Sequence, residues 1–123
     1  MKKRLRSFVY AFHGIKELTA HTPNARIHLS IAFLVIVLGF VFRVSASEWI
    51  AIAICIGMVL GMEAINSALE NISDFVCKET NIHIKKIKDL AAGGVLLVAM
   101  ASFVVGCIIF IPKILSCLGC PLN

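Results

Sequence analysis

Apolar residues along this chain are gathered into three long runs separated by short polar segments. The runs cover Ile27–Phe42, Trp49–Met62 and Leu90–Ile111, and the last two contain no charged residue. A helix that crosses a bilayer needs about 20 apolar residues, or fewer where long side chains at its ends reach the polar surface. We therefore predict an all-α integral membrane protein, a single domain over residues 1–123 with spans at 25–43, 48–77 and 86–111.

A different pattern precedes the first run. Apolar residues recur there at steps of three and four, at Leu5, Phe8, Val9, Phe12, Ile15 and Leu18. Basic residues fill much of the opposite face, which is typical of an amphipathic helix that lies on a membrane surface. We place this surface helix at residues 4–20. Thr22 and Pro23 interrupt the pattern, and Thr22 is the expected N-cap of the first membrane helix.

Local signals set the other helix ends. Residues 44–48 form a short polar turn in which Ser47 is the expected N-cap of the second span. Pro112 is expected to bend or end the third span, because proline lacks the backbone N–H that a helix needs. Gly57 and Gly61 have the GxxxG spacing that lets membrane helices approach closely.

Charge indicates how the chain is oriented. The formal net charge is +5, and ten of the twelve lysines and arginines lie before the first apolar run or between the second and third runs. Only Arg43 and Lys113 lie on the other side. Positive residues concentrate in cytoplasmic segments, so the N-terminus and the 74–89 segment are expected to face the cytoplasm. No interleaved basic and aromatic surface favours nucleic acid as a partner.

The most informative polar residues lie where the second span becomes hydrophilic. Glu63, Asn66, Ser67, Glu70 and Asp74 share one side of a helix at about 100° per residue, and we call them the polar stripe. Carboxylates at membrane depth are costly and are usually functional. Carboxylates one or two turns apart suit a general base and a ligand of a divalent cation.

Simpler interpretations stay open for several of these groups. Glu63 alone is compatible with an ion pair, Glu70 with a solvated face, and Asp74 with a helix cap or an ion pair. Lys88 and Asp89, where the third span meets the cytoplasm, suit phosphate or metal binding, although alone they are ordinary membrane-flanking charges. No P-loop or kinase glycine-rich motif is present.

The sequence around the polar stripe resembles a known family. E-A-I-N-S-A-L-E-N-I-S-D at residues 63–74 is similar to the signature of the prokaryotic diacylglycerol kinase family, which includes the undecaprenol kinases. Further similarity lies in Y-A-F-H-G-I at 10–15, N-A-R-I-H at 24–28 and K-I-K-D-L-A-A-G-G-V-L-L at 86–97. The resemblance extends over roughly residues 7–111 and includes the three-span plan.

This resemblance implies a homotrimeric lipid kinase in the prokaryotic cytoplasmic membrane, with active sites shared between subunits on the cytoplasmic side. It would use ATP and Mg²⁺ to phosphorylate a lipid alcohol, either diacylglycerol or undecaprenol. Glu63 matches the general base and Glu70 a metal ligand that also contacts the nucleotide. The other nucleotide-binding positions that the resemblance implies are Tyr10, Glu79, Lys88 and Asp89. Supporting roles fall to Asn66, Asp74, Lys3, Arg6 and Arg26.

One departure concerns the metal. The family usually has a second metal-binding glutamate where this chain has Thr22, and a hydroxyl is a poor substitute for a carboxylate. An alternative function, a small oligomeric transporter that exchanges protons or cations at Glu63, explains a membrane carboxylate. It does not explain why Glu70 and Asp74 follow on the same side. Cys117 and Cys120 have CxxC spacing, and their pairing stays open.

Overall fold

The computed structural model consists of four helices: α1 (Lys2–His21), α2 (Pro23–Val41), α3 (Ala46–Val76) and α4 (Ile82–Cys117). It describes residues 2–79 and 81–119, without the side chains of residues 2, 3 and 5. The supporting role expected of the Lys3 side chain and the open question of Cys120 pairing fall outside these described parts.

Three of the four helices, α2, α3 and α4, are long and apolar enough to cross a membrane, which confirms the predicted all-α fold with three candidate spans. α3 has 31 residues and α4 has 36, so both continue beyond their apolar runs. α1 is the separate N-terminal helix, and several of its apolar side chains, including Phe8 and Phe12, are exposed. Its contact with a membrane surface stays a prediction.

A single residue, Thr22, separates α1 from α2. Pro23 starts α2 because the first helical position needs no backbone N–H donor. Thr22 occupies the N-cap with extended backbone angles, as predicted, but its side chain makes no capping hydrogen bond. The guanidinium group of Arg26 instead donates to the carbonyl oxygens of Thr19, at 3.0 Å, and Ala20. Arg26 thus satisfies carbonyl groups that the end of α1 leaves without helical partners.

The turn between α2 and α3 is built from two helix-capping motifs. Arg43 has a φ of 49°, and the N–H groups of Arg43 and Val44 donate to the carbonyls of Phe40 and Gly39. This is a Schellman ending, with arginine at the left-handed position where glycine is commonest. A capping box between Ser45 and Glu48 then begins α3.

The structure contradicts one expectation about helix ends and excludes one of the two alternatives in another. Ser45 caps α3 in place of Ser47, because the box requires Glu48 three residues after the capping hydroxyl. Pro112 does not end the third span, since α4 continues through it to Cys117. Proline inside a membrane helix is tolerated where its surroundings satisfy the carbonyl group that it leaves unbonded.

α3 is the central element, with α4 packed along it and α2 against it, while α1 contacts α2 and α3. A buried cluster of Val44, Ile52, Ile109 and Phe110 holds the helices together at the end remote from the polar stripe. Nearby, Gly39 packs against the ring of Trp49 so closely that a Cβ on this glycine would lie 2.6 Å from a ring carbon. The cluster fixes how α2 and α4 lie on either side of α3.

Candidate active site

Glu63 is almost completely enclosed by the protein, with 1% of its surface exposed. It lies on α3, the helix that packs between α2 and α4, so its side of the helix faces protein. Asn66 and Ser73 are also buried, and within the described residues these three are the buried polar or charged side chains. Burial of a carboxylate costs free energy unless its oxygens find partners, so this cluster is the natural centre of a site.

Two oxygen atoms in the cluster have no hydrogen-bond partner within the described structure: Glu63 Oε1 and Asn66 Oδ1. The amide nitrogen of Asn66 donates to Glu70 Oε1 at 3.2 Å, so Asn66 orients the Glu70 carboxylate. A buried acceptor without a donor costs about 1–3 kcal/mol. The free oxygens therefore fit a bound group that donates hydrogen bonds or carries positive charge.

α2 supplies two polar groups opposite the polar stripe. His28 is half-buried and lies within electrostatic range of Glu63. The hydroxyl of Thr22 lies 3.5 Å from the hydroxyl of Ser67, so Thr22 faces the same part of α3. Sequence reasoning did not select His28 or the buried Ser73. A histidine inside the first apolar run was the available signal for His28. Helical spacing was the signal for Ser73, which lies seven residues after Asn66 and therefore on the same side of α3.

The predicted nucleotide residues of α4 are engaged in ion pairs. Lys88 Nζ lies 2.5 Å from Asp74 Oδ1 on α3, and Lys85 Nζ lies 2.7 Å from Asp89 Oδ2 on the same helix. Asp74 thus has the ion-pair role that the sequence left open. The pair with Lys88 links the polar ends of α3 and α4, whereas the more exposed pair with Lys85 lies along the surface of α4.

Three other predicted residues project from the surface without anchoring contacts. Tyr10 on α1 is 69% exposed, and Arg6 and Glu79 are also exposed. In the described part of the chain, none of their side chains makes a hydrogen bond or an ion pair. The structure therefore brings Glu63, Asn66 and Glu70 together on α3 but does not join Tyr10, Arg6 or Glu79 to them.

The oxygen donors around Glu70 fit a magnesium–nucleotide complex better than a free metal ion. Across the described residues, no group of three His, Cys, Asp or Glu side chains is placed to hold a metal. Mg²⁺ in kinases is often bound by one or two carboxylates together with substrate phosphates. The Glu70 carboxylate and the unpartnered Asn66 oxygen are the oxygen donors suited to such a complex.

An apolar groove of about 480 Å³ runs between α2, α3 and α4. His28 and Leu60 lie toward its polar-stripe end, and Leu38 and Phe110 lie toward the other end. Two cysteines, Cys55 and Cys107, also line it. Leu60, at one end of the groove, lies about one turn of α3 before Glu63.

Comparison with known proteins gives a consistent assignment. The chain matches the sequence profile described as prokaryotic diacylglycerol kinase over residues 9–110. It is 33% identical to an undecaprenol kinase of Bacillus subtilis, over 93% of each chain. It is 34% identical to a diacylglycerol kinase of Synechocystis, over 89% of this chain and 63% of that protein.

No solved structure matches the chain significantly. The profile covers most of the chain, and the Bacillus relative aligns over nearly its whole length. The chain is therefore an enzyme of the lipid-kinase class and belongs to the prokaryotic diacylglycerol kinase family.

Proposed function

We propose that this protein transfers the γ-phosphate of ATP to the hydroxyl group of a membrane lipid alcohol, in the cytoplasmic membrane of a prokaryote. The observation that carries this proposal is the buried Glu63 carboxylate, whose Oε1 has no partner in the described structure and which lies about one turn of α3 from Leu60 in the lining of the apolar groove. A lipid hydroxyl donates one hydrogen bond, which is what that oxygen lacks. The family assignment supports the kinase over the transporter alternative.

Glu63 acts as the general base in this proposal. It accepts the proton of the lipid hydroxyl as the lipid oxygen attacks the γ-phosphorus and ADP departs. Asn66 holds the Glu70 carboxylate through its amide nitrogen. Lys88, exchanging Asp74 for a phosphate oxygen, supplies positive charge at the nucleotide. Mg²⁺, held by Glu70 and the phosphates, would neutralise charge on the transferring group.

The lipid that we expect to react faster is undecaprenol. The relative with that name aligns over 93% of its length, whereas the chain covers 63% of the relative named diacylglycerol kinase. Both lipids are long-chain alcohols, so diacylglycerol remains the competitor that must be assayed beside it.

Orientation and assembly complete the proposal. Ten basic residues flank the polar ends of the spans, which favours a cytoplasmic N-terminus and a cytoplasmic active site. We also propose a homotrimer, on the strength of the family resemblance.

The test is a transfer assay in mixed micelles with γ-labelled ATP and Mg²⁺. Undecaprenol and diacylglycerol are offered separately to the wild-type protein and to Glu63→Gln. We expect label in the lipid fraction with the wild-type protein and a loss of about 10³-fold in turnover with Glu63→Gln, because the amide cannot accept the proton. ATP binding should be unchanged, as measured with a fluorescent analogue.

Two results would contradict parts of the proposal. Near-wild-type turnover in Glu63→Gln would exclude this residue as the base. Failure of folded wild-type protein to label either lipid would exclude both substrates, and cation flux in proteoliposomes would then test the transporter alternative.

A further inference from the structure

His28 lies where the apolar groove approaches the buried Glu63 carboxylate. It lines the apolar groove, and it lies within electrostatic range of the buried Glu63. Among the described residues its ring has no hydrogen-bond or ion-pair partner. A half-buried imidazole beside an apolar groove is costly unless something pairs with it. A bound ligand is the missing partner that this position suggests.

The groove itself indicates what such a ligand looks like. From His28 to Leu38 it follows ten residues of α2, or about 15 Å. One leaflet of bilayer hydrocarbon is about as deep, since the whole core is about 30 Å thick. The lining is almost entirely apolar, with Ser102 as its other polar side chain beside His28 and the thiols. A single hydrocarbon chain, with its polar head at the His28 end, fits both the length and the polarity.

We infer that His28 positions the lipid alcohol, by donating a ring N–H to the hydroxyl oxygen while the hydrocarbon chain lies in the groove. This inference rests on the proposed kinase function and adds the residue that orients its acceptor substrate. With one lone pair of the oxygen engaged by His28, the hydroxyl hydrogen points to Glu63 Oε1, and the second lone pair is free to attack phosphorus. The proton still leaves to Glu63.

The test compares His28→Leu and His28→Gln with the wild-type protein in the transfer assay. Leucine keeps the bulk but has no donor, whereas glutamine has an N–H donor of similar reach. We expect His28→Leu to raise the KM for the lipid about tenfold, and His28→Gln to restore it to within about threefold of wild type. The KM for ATP should stay within about twofold in both variants, a separation that general misfolding does not produce.

A second measurement tests the groove without turnover. In a background with Cys77, Cys117 and Cys120 changed to serine, the remaining Cys55 and Cys107 line the groove and report its occupancy through labelling by an apolar maleimide. We expect undecaprenol to slow the labelling in the wild-type background, and His28→Leu to need about tenfold more lipid for equal protection. A non-hydrolysable ATP analogue alone should leave the labelling unchanged.

Two leucine substitutions on α4, one inside the groove and one outside it, form a matched pair of variants. Gly106 lines the groove and a Cβ there meets no atom within 4 Å, so Gly106→Leu adds apolar bulk to the groove. Ala101, exposed on the same helix and outside the groove, takes the same added bulk in Ala101→Leu. Gly106→Leu should abolish lipid protection of the cysteines, and Ala101→Leu should not.

The outcomes separate this inference from the proposed function. If the wild-type protein phosphorylates lipid but His28→Leu has an unchanged lipid KM, the positioning role is wrong and the kinase stands. If lipid never protects the cysteines, and their labelling instead slows as protein concentration rises, the groove is filled by a second copy of the chain. If the folded wild-type protein neither phosphorylates nor binds lipid, both proposals fall.

Discussion

At the residue scale, the site depends on oxygen atoms that the fold buries without satisfying. Glu63 Oε1 and Asn66 Oδ1 lack donors, while the other end of the Asn66 side chain holds Glu70 in place. An arrangement of this kind costs stability in the empty protein and is compensated when a ligand arrives. The apolar surroundings also strengthen each electrostatic contact that forms there. The same oxygen atoms that would bind a ligand therefore also lower the stability of the empty protein.

Thr22 offers a direct test of metal binding at this scale. Its hydroxyl lies 3.5 Å from Ser67, one turn before Glu70, so a carboxylate at position 22 would reach toward Glu70. We expect Thr22→Glu to lower the Mg²⁺ concentration for half-maximal activity about tenfold, because an added anionic ligand raises cation affinity. The measurement is a Mg²⁺ titration of turnover at fixed ATP. Thr22→Gln, with similar size and no charge, should leave the Mg²⁺ requirement unchanged, and an equal effect of both substitutions would contradict a metal site here.

At the element scale, the turn between α2 and α3 joins three helices. Glu48 completes the capping box with Ser45, and the same carboxylate lies 3.1 Å from Lys113 Nζ on α4. Both members of this ion pair are about three-quarters covered by protein, so solvent screens them less than it screens a surface pair. The turn therefore fixes the end of the bundle opposite the active site.

Replacement of the capping serine should weaken this end. We expect Ser45→Ala to lower the free energy of unfolding by about 1 kcal/mol, because the Glu48 N–H loses its acceptor. Ser47→Ala removes a neighbouring hydroxyl that does not cap the helix and should cost far less. Thermal unfolding in one detergent measures both variants. A larger loss for Ser47→Ala would restore Ser47 as the capping residue.

Close packing of α2 on Trp49 leads to a second stability prediction. A Cβ at Gly39 would overlap a rigid indole ring, so Gly39→Ala should destabilise the protein by about 1–3 kcal/mol. Gly93→Ala on α4 is the matched control, since a Cβ there meets nothing and the better helix propensity of alanine should stabilise by up to about 1 kcal/mol. Thermal unfolding of the two variants should shift in opposite directions. Trp49→Leu should relieve the Gly39→Ala defect, and lack of rescue would argue against the overlap as its cause.

The helices and the polar stripe could be predicted from the sequence because each has a clear pattern. Apolar runs gave the three candidate spans, and spacing placed Glu63 and Glu70 on one side of α3. Helix ends were harder, because Ser45 and Ser47 differ only in which one has a glutamate three residues later. His28 was missed because its importance depends on α2 lying opposite Glu63, which is a tertiary relation that no local pattern encodes.

At the scale of the whole molecule, a single chain leaves much of its surface apolar. Large exposed side chains such as Phe33, Phe75 and Phe103 are distributed over the three long helices. Lipid covers such surfaces in a membrane, and so do neighbouring copies of the chain. The predicted nucleotide residue Tyr10 projects away from its own protein surface, as expected if it serves another subunit.

Subunit mixing tests the shared site that the family resemblance implies. We expect native mass spectrometry in detergent to show three copies of the 13.4 kDa chain. Co-expression of Glu63→Gln with Tyr10→Ala should give mixed trimers with more activity than either variant alone, because one interface then contains both intact residues. A monomeric mass, or activity that never exceeds the average of the two variants, would place each active site within a single chain.

The unequal lengths of the helices have a consequence for the membrane itself. α2 has 19 residues and is about 28 Å long, close to the hydrocarbon thickness, whereas α3 and α4 measure about 46 and 54 Å. Mismatch depends on apolar length, and the apolar run of α2 at 27–42 is about 24 Å long, while that of α3 at 49–62 is about 21 Å. Both runs are shorter than a hydrocarbon core of about 30 Å, whereas the run of α4 at 90–111 is about 33 Å long. Hydrophobic mismatch therefore acts on the two helices that carry His28 and Glu63. The thickness of the bilayer therefore acts directly on the part of the active site proposed to hold the lipid alcohol.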